Sequence, residues 1–475
     1  MTISKRIAKR VSALADGREL IYFDDADTTL PSDRATDLRR LDPRPPTAQM
    51  RLDPLTGEWI AVATARQNRV VMPPAGLDPL APQAPGNPSE IPSDYDVAVF
   101  ENRSPAFGPG LPDPDSAETD PSYLGGTALD GTALGRVVPA YGRCEVICFS
   151  SAREGAFGSI SRSRARTVIE AWADRTAALS SLPGVQQVYI FENRGAEIGV
   201  TLQHPHGQIY GYPYVTPRTC QLLAQLDAYG GTLFADILKY EQEGSRVLLS
   251  GDHWTAFVPF AARWPVEAHM VPHEHVADFA LTSEAQRDEL AVLYLRLLRG
   301  IDALYPDPTP YIAAWHQAPV RSHRDTARLH LRLMSPRRGS DKLKYQAGSE
   351  SGMGAWIGDI PPEVQADQLR AAIARADAEN PVLARSAANG HLVTRSGREI
   401  SAGPGGARSR ERAGATVCGR RRRRTRGRWN PGRAGRRCRG AIRAGEPGRA
   451  RAVPSRRTRP GSGRRPATGR CPASR

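Results

Sequence analysis

The sequence predicts an α+β fold of two related halves, each an antiparallel sheet with helices, followed by a disordered C-terminal tail. Three observations lead there. Segments with the two-residue alternation of strands interleave with segments of helical spacing. The order strand, loop, helix, strand, His-bearing strand occurs twice, with Phe157 standing 47 positions before His204 and Phe279 standing 51 before His330. Both periodicities stop at about residue 385.

Residues 1–50 are charged and interrupted by proline, and predict a surface arm carrying one short strand, ELIYFDD. MRLDPLTGEWIAVATARQNR predicts a turn at DPLTG and a strand at EWIAVAT, since Asp, Pro and Gly set turn dihedrals while Trp, Ile and Val fit a pleated surface. Residues 72–95 are rich in proline and predict a loop. DVAVFENR and CEVICFS predict strands. Residues 161–180 predict a helix, with Val168, Ile169, Trp172 and Ala177 at helical spacing, and VQQVYIFENRG and TLQHPHGQIYGYP two more strands. That completes a first half, 51–216. In a second half, 217–384, WTAFVPFA and EAHMVPH predict strands. TSEAQRDELAVLYLRLLRGI predicts a helix opened by Thr282 or Ser283, and YIAAWHQAP and ARLHLRLMSP predict the closing strands.

The formal charge of +15 and the pI of about 9.9 suggest nucleic acid or a membrane surface at first sight. The charge sits at one end. Residues 401–475 hold 24 arginines, no lysine and two acids, which leaves residues 1–400 at a net charge of about −7. The tail, 385–475, exemplified by GRRRRRTRGRWNPGRAGRRCRG, has almost no core-forming residues to offset its ordering entropy. Its composition reads as disorder, including sequence decoded out of frame past the end of a GC-rich gene. The functional alternative is a nucleic-acid-binding arm. Without RGG or RS repeats, and with no aromatic beyond Trp429, that arm is expected to bind only non-specifically and to release with salt. No run of about 18 apolar residues predicts a membrane span, and MTISKRIAKR has no apolar run behind it to form a secretory leader. Six scattered cysteines predict no disulfide framework. The body is expected to be soluble and cytoplasmic.

The chemistry concentrates in TLQHPHGQIYG, residues 201–211, where His204, His206 and Gln208 alternate. In a strand they share a face. Three polar groups on one buried face would each need a partner, so the pattern points to a site rather than to core. A neutral imidazole is a good nucleophile near neutral pH, and one ring nitrogen can attack phosphorus when a hydrogen bond to the other fixes the tautomer. His206 is the predicted nucleophile, central in the triplet and next to Gly207, where a phosphate can approach the backbone closely. Gln208 cannot act as an acid, but its amide can donate to a phosphoryl oxygen. A leaving group that is already a phosphate anion needs no acid. The triplet therefore points to transfer of a nucleotidyl group from a diphosphate, with release of a sugar phosphate.

HPHGQ, with FENRG at 191–195 upstream and WHQAP and LHLR downstream, resembles galactose-1-phosphate uridylyltransferase, a branch of the histidine-triad superfamily with Gln in place of the third histidine. The likeness runs from about residue 50 to about 375, and its texture is similar to that of actinobacterial members. It implies two histidine-triad-like halves and a ping-pong reaction: His206 takes the uridylyl group from UDP-glucose, releasing glucose 1-phosphate, and galactose 1-phosphate then accepts it as UDP-galactose. It also implies substrate-binding roles for Arg66 and Arg69 in ARQNR, Asn102 in FENR, Asn193 and Thr201. Lys344, Tyr345 and Glu350 in KYQAGSE match a segment that reaches a neighbouring subunit's site, which implies a homodimer. Alternatives are a related adenylyl- or other nucleotidyltransferase of the same branch, a histidine-triad hydrolase, which Gln208 disfavours, and a decayed enzyme with a nucleic-acid-binding basic tail.

The chain also departs from the family. Metal-binding members hold a structural zinc through two cysteines, a later histidine and the first histidine of the motif. Here Asp78 and Ala81 stand at the cysteine positions and Arg153 at the histidine, so the zinc site is expected to be lost and no cofactor is expected. An Asp78–Arg153 ion pair is the expected substitute, with His204 orienting His206. His316 and His330 match two ligands of a second metal site, but Arg332 follows where a third would stand, so they are weak candidates only. HEH at 273–275, with His269 nearby, reads as surface histidines.

Overall fold

The computed structural model describes residues 6–68, 74, 76–116, 118 and 134–383. The first elements in chain order are β1 (Ala8–Ala13), β2 (Glu19–Asp24), β3 (Gln49–Leu52), β4 (Trp59–Val62), β5 (Val97–Glu101), β6 (Val137–Pro139) and β7 (Arg143–Cys148). Then come α1 (Arg162–Ser180), β8 (Gln187–Arg194), β9 (His206–Tyr212), α2 (Pro217–Tyr229) and α3 (Leu233–Glu243). β10 (Val247–Ser250), β11 (Trp254–Phe257), β12 (Val266–Pro272), α4 (Glu284–Asp302), β13 (Tyr311–His316) and β14 (His330–Ser335) follow. A hairpin of β15 (Arg337–Gly339) and β16 (Lys342–Leu343) leads to α5 (Pro362–Glu379).

Among the described residues, eleven strands form one antiparallel sheet in the order β1-β2-β5-β7-β9-β8-β13-β14-β12-β11-β10. The order is symmetric about the β8–β13 pair. Outward from that seam, β8, β9, β7, β5 and β2 correspond to β13, β14, β12, β11 and β10, with α1 and α4 as matching helices. The duplication seen in the spacing is therefore a duplication of fold. Its local details repeat too. Ser161 caps α1 by accepting from Arg164 N–H, and Ser283 caps α4 in a reciprocal box with Gln286. A 3₁₀ turn precedes each helix, and its phenylalanine, Phe157 or Phe279, packs on Trp172 with ring centroids 5.5 and 5.4 Å apart.

The helices cover one face of the sheet, where Ile190, Ile209, Ala313, Trp315, Leu331 and Leu333 join the buried apolar side of α1 and α4. α5 packs on α4 at Gly300, where any side chain would stand 2.2 Å from Ile373. The opposite face carries the alternate residues of the same strands and is where His206 and Gln208 lie.

Five segments differ from the sequence reading. Residues 1–50 are more than an arm, because β1 extends the sheet beyond β2. Its AKRVSA carries Lys9 and Arg10, charges that suit an edge strand and mask its alternation. TLQHPHGQ is not strand throughout: pairing starts only at His206, and residues 201–205 run in as loop. α2, α3 and α5 had no counterpart in the reading of periodicity. The Arg-rich tail, 385–475, lies outside the described residues.

One buried group gives a test of the packing. Glu192 faces the helices from β8, its Oε1 accepting from Tyr311 O–H (3.1 Å), and burial pushes its carboxyl up to about 8. An unfolded glutamate titrates near about 4.3, so the folded chain holds the proton more tightly. That contribution is complete at acid pH and is lost as pH rises toward 8. Glu192→Gln should therefore raise Tm relative to the parent at pH 9 but not at pH 5. An equal offset at both, in melts followed by circular dichroism, would show that Glu192 does not ionise across this range.

Candidate active site

The register of β9 sets His206 opposite Cys148 of β7 and Gln208 between Val146 of β7 and Phe191 of β8. His206 and Gln208 thus share the sheet face turned away from α1 and α4, both half-buried. His206 Nδ1 lies 2.7 Å from the His204 carbonyl oxygen. A carbonyl only accepts, so Nδ1 carries the proton and the in-plane lone pair is on Nε2. Gln208 Oε1 accepts from Tyr210 O–H at 2.9 Å. That bond commits the amide oxygen and turns the NH₂ end of Gln208 toward the site. Tyr210 went unnoticed in the sequence, although it stands two residues past Gln208 in the same alternation.

His204 does not join that face. It lies two residues before the strand, and its ring is buried at 3 % exposure. Nδ1 faces Asp78 Oδ2 (2.8 Å), and Nε2 faces the Ser150 carbonyl (2.7 Å) and Tyr95 Oη (2.8 Å). The expected Asp78–Arg153 ion pair is therefore replaced: Asp78 bonds His204 itself, and Arg153 is exposed. Gly207 also has a different reason from the one expected. A side chain there would meet the Phe149 ring at 2.9 Å and the Phe191 carbonyl at 3.0 Å, so core contacts, not an approaching phosphate, exclude it.

The other expected binding residues divide. Arg66 lies in a 3₁₀ turn, Thr64–Asn68, near enough to Cys144 to offset part of the burial that pushes that thiol up to about 11. Cys144 pairs with Tyr210, two residues past Gln208 on β9. Arg69 lies outside the described residues. Asn102 is buried and turns the chain: its N–H donates to Cys144 O (2.8 Å) and its Oδ1 accepts from Ser104 N–H (3.0 Å). Asn193 sits two residues past Phe191 on β8, level with His206, and Thr201 is exposed in the run-in loop. Lys344 is buried and donates to the carbonyls of Arg263 (3.2 Å) and Ile357, with the buried Glu350 carboxylate 3.9 Å away. Tyr345 is 75 % exposed. In the chain these three follow β14 and its hairpin. A cavity of about 130 Å³ is lined by Glu197, Ile198, Ile312, Met334, Lys344 and Tyr345 among others, but not by His206 or Gln208.

The second half repeats the arrangement with different chemistry. His330 opens β14 as His206 opens β9, and its Nδ1–H donates to Arg328 O at 2.8 Å, the same bond to the carbonyl two residues back. Arg332 takes the place of Gln208. His316 stacks on His330 with ring centroids 5.1 Å apart. Burial pushes His330 down to about 3 and His316 well below the usual histidine range, with the Arg332 cation adding to both effects. Arg332 Nε donates to His269 Nε2 at 3.4 Å, so His269 lies on the sheet face and is not the surface histidine expected. A guanidinium among these rings opposes a metal cation. Among the described residues no group of three His, Cys, Asp or Glu side chains is placed to hold one. No helix of the described residues is long and apolar enough to cross a membrane.

Comparison with known proteins gives consistent matches. Residues 40–216 match the N-terminal domain of galactose-1-phosphate uridyl transferase, and residues 219–374 match its C-terminal domain. The galactose-1-phosphate uridylyltransferase of Streptomyces lividans is 42 % identical over 383 residues, covering 76 % of this chain and 97 % of that one. Its counterpart from Thermotoga maritima is 33 % identical, covering 68 % and 98 %. A solved uridylyltransferase structure superposes with a TM-score of 0.59 at 28 % identity, covering 69 % of this chain and 99 % of that one.

Proposed function

The chain belongs to the galactose-1-phosphate uridylyltransferase family, and from that premise we propose that it transfers the uridylyl group in two displacements through His206. It is a nucleotidyltransferase of galactose metabolism; the donor, the covalent intermediate and the residue roles are our reading. In the first displacement His206 Nε2 forms a bond to the α-phosphorus of UDP-glucose as the bond to the bridging oxygen breaks. Glucose 1-phosphate leaves as an anion and needs no proton. The Gln208 amide donates to the non-bridging oxygens, where charge builds in the transition state, and Arg66 adds positive charge nearby. In the second displacement a phosphate oxygen of galactose 1-phosphate attacks the same phosphorus and releases His206. The His204 carbonyl accepts a hydrogen bond from Nδ1–H throughout, which favours the cationic uridylyl-imidazole.

The observation that carries this reading is the 2.7 Å bond from His206 Nδ1–H to the His204 carbonyl, since it leaves Nε2 as the nucleophilic atom. We place the enzyme in the cytoplasm, in keeping with the cysteines of the described residues, which form no disulfide. We read it as a homodimer, because exposed Tyr345 follows the internally bonded Lys344 in the segment that the family resemblance assigns to a shared site. Incubation with UDP-glucose and no acceptor should add one uridylyl mass to the peptide containing His206, and galactose 1-phosphate should remove it. Peptide mass spectrometry reads both. A label on another residue would move the nucleophile, and a label only from ADP-glucose would move the base assignment.

A further inference from the structure

The buried cluster around His204 has a structure of its own. Asp78 belongs to a loop folded onto itself by Glu90 N–H to Pro79 O (2.9 Å) and Gln83 N–H to Ile91 O (2.8 Å). Asn87 pins its backbone on both sides, donating to Asp78 O (3.0 Å) and accepting from Asp78 N–H (3.2 Å). The two carboxylate oxygens then take different partners. Oδ1 accepts from Leu80 N–H (3.0 Å) and closes an Asx turn, while Oδ2 faces His204 Nδ1 (2.8 Å). Across the ring, Nε2 faces the Ser150 carbonyl and Tyr95 Oη, and Tyr95 O–H itself donates to Leu80 O (2.7 Å). Ser150 O can only accept and Tyr95 has already committed its proton, so Nε2 is a donor. Nδ1 is hydrogen-bonded to the carboxyl group on the other side.

A structural zinc does not fit these residues. It would need a lone pair from His204, but Nε2 is held by the Ser150 carbonyl and Nδ1 by the Asp78 carboxylate. Ala81 has no ligating atom, and Arg153 is an exposed cation. We propose that the Asp78–His204 pair, clamped by Ser150 and Tyr95, is a metal-free brace that takes the place of a zinc and aims the His204 carbonyl at His206. The ring is held from both sides. The next residue, Pro205, has a fixed φ, and its carbonyl accepts from Phe149 N–H (2.9 Å). The peptide between residues 204 and 205 therefore cannot turn, and its carbonyl stays 2.7 Å from His206 Nδ1. Asp78 and Tyr95, 126 and 109 residues from His204, are positioning residues for the nucleophile.

The inference rests on His206 being the nucleophile, so the experiment first scores uridylylation of the parent chain. Absence of label there would count against the function, whatever the brace does. On the full-length protein, elemental analysis should find zinc far below one per chain, and chelator treatment should change neither Tm nor turnover. Stoichiometric zinc whose removal lowers both would overturn the proposal. Asp78→Ala should lower kcat by about tenfold or more, counted per uridylylatable site, with KM for UDP-glucose within about twofold. Asp78→Asn can close the Asx turn with its oxygen and turn its NH₂ toward Nδ1, which accepts in the neutral ring protonated at Nε2, so it should recover most of the loss. Arg153→Ala should change nothing. If Asp78→Ala does not fold, Tyr95→Phe, which removes one acceptor at Nε2, should give the same split at smaller size. Unchanged kcat per labelled site in the folded variant would reduce the cluster to ordinary packing.

Discussion

His206→Asn should abolish turnover, lowering kcat by at least about four orders of magnitude, the scale of losing a covalent nucleophile. The argument is geometric. Asparagine can still donate to the His204 carbonyl and is half-buried with little packing to lose, so Tm should shift by no more than a few degrees. What it lacks is the Nε2 lone pair that the 2.7 Å bond at Nδ1 leaves facing the site. The variant should also take no uridylyl mass from UDP-glucose, which separates a lost nucleophile from a lost binding residue. Steady-state kinetics within about tenfold of the parent, with label still appearing, would mean that another group attacks phosphorus. His330 is not a candidate replacement: it has the same Nδ1 bond, but its ring is buried against Phe234 at 5.1 Å, and two residues along its strand stands Arg332 rather than an amide.

How much of this was legible follows from how far apart the interacting residues lie. The sheet was legible where strands bury both faces or alternate strictly, as in VAVFE of β5 and the VYIFE stretch of β8. The two-fold repeat was legible because Phe157 and Phe279 keep nearly the same distance to the histidine strands. β1 was hidden by Lys9 and Arg10 on an edge. α5 was hidden because its buried stripe is Ala366, Leu369, Ala372, Ile373 and Ala376, mostly alanine, which carries little apolar contrast. In the site, the chemistry of His206 and Gln208 could be read from a five-residue motif, because local alternation alone puts them on one face. The separate fate of His204 could not. Pro205 and the late start of β9 take its ring out of register, and what receives it is Asp78, a residue whose approach depends on the whole sheet being assembled. The substitution of Asp for a metal ligand was visible; its partner was misassigned to Arg153, because sequence gives charge complementarity without geometry.

Gln208→Ala should lower kcat by about 10²–10³, the usual cost of removing a donor to transition-state charge, and should leave label formation slow but still at His206. The companion substitution decides why. Gln208→Glu keeps the shape and keeps an oxygen for Tyr210 O–H to donate to, at the position where Oε1 now lies 2.9 Å away. It replaces the NH₂ end with a second oxygen, so a carboxylate faces the anionic phosphate where two donors stood. If the amide acts as donor, the glutamate variant should be slower than the alanine variant and should regain part of its rate as pH falls and the carboxylate takes a proton. Were Gln208 only a spacer, glutamate would be the milder change of the two. Tyr210→Phe belongs to the same argument. It frees the amide to rotate without removing it, so its cost should be a small fraction of the alanine loss and should fall on kcat rather than on KM. The ordering parent, Tyr210→Phe, Gln208→Ala, Gln208→Glu is therefore the expected one, because each step removes more of a donor held in a fixed direction toward phosphorus.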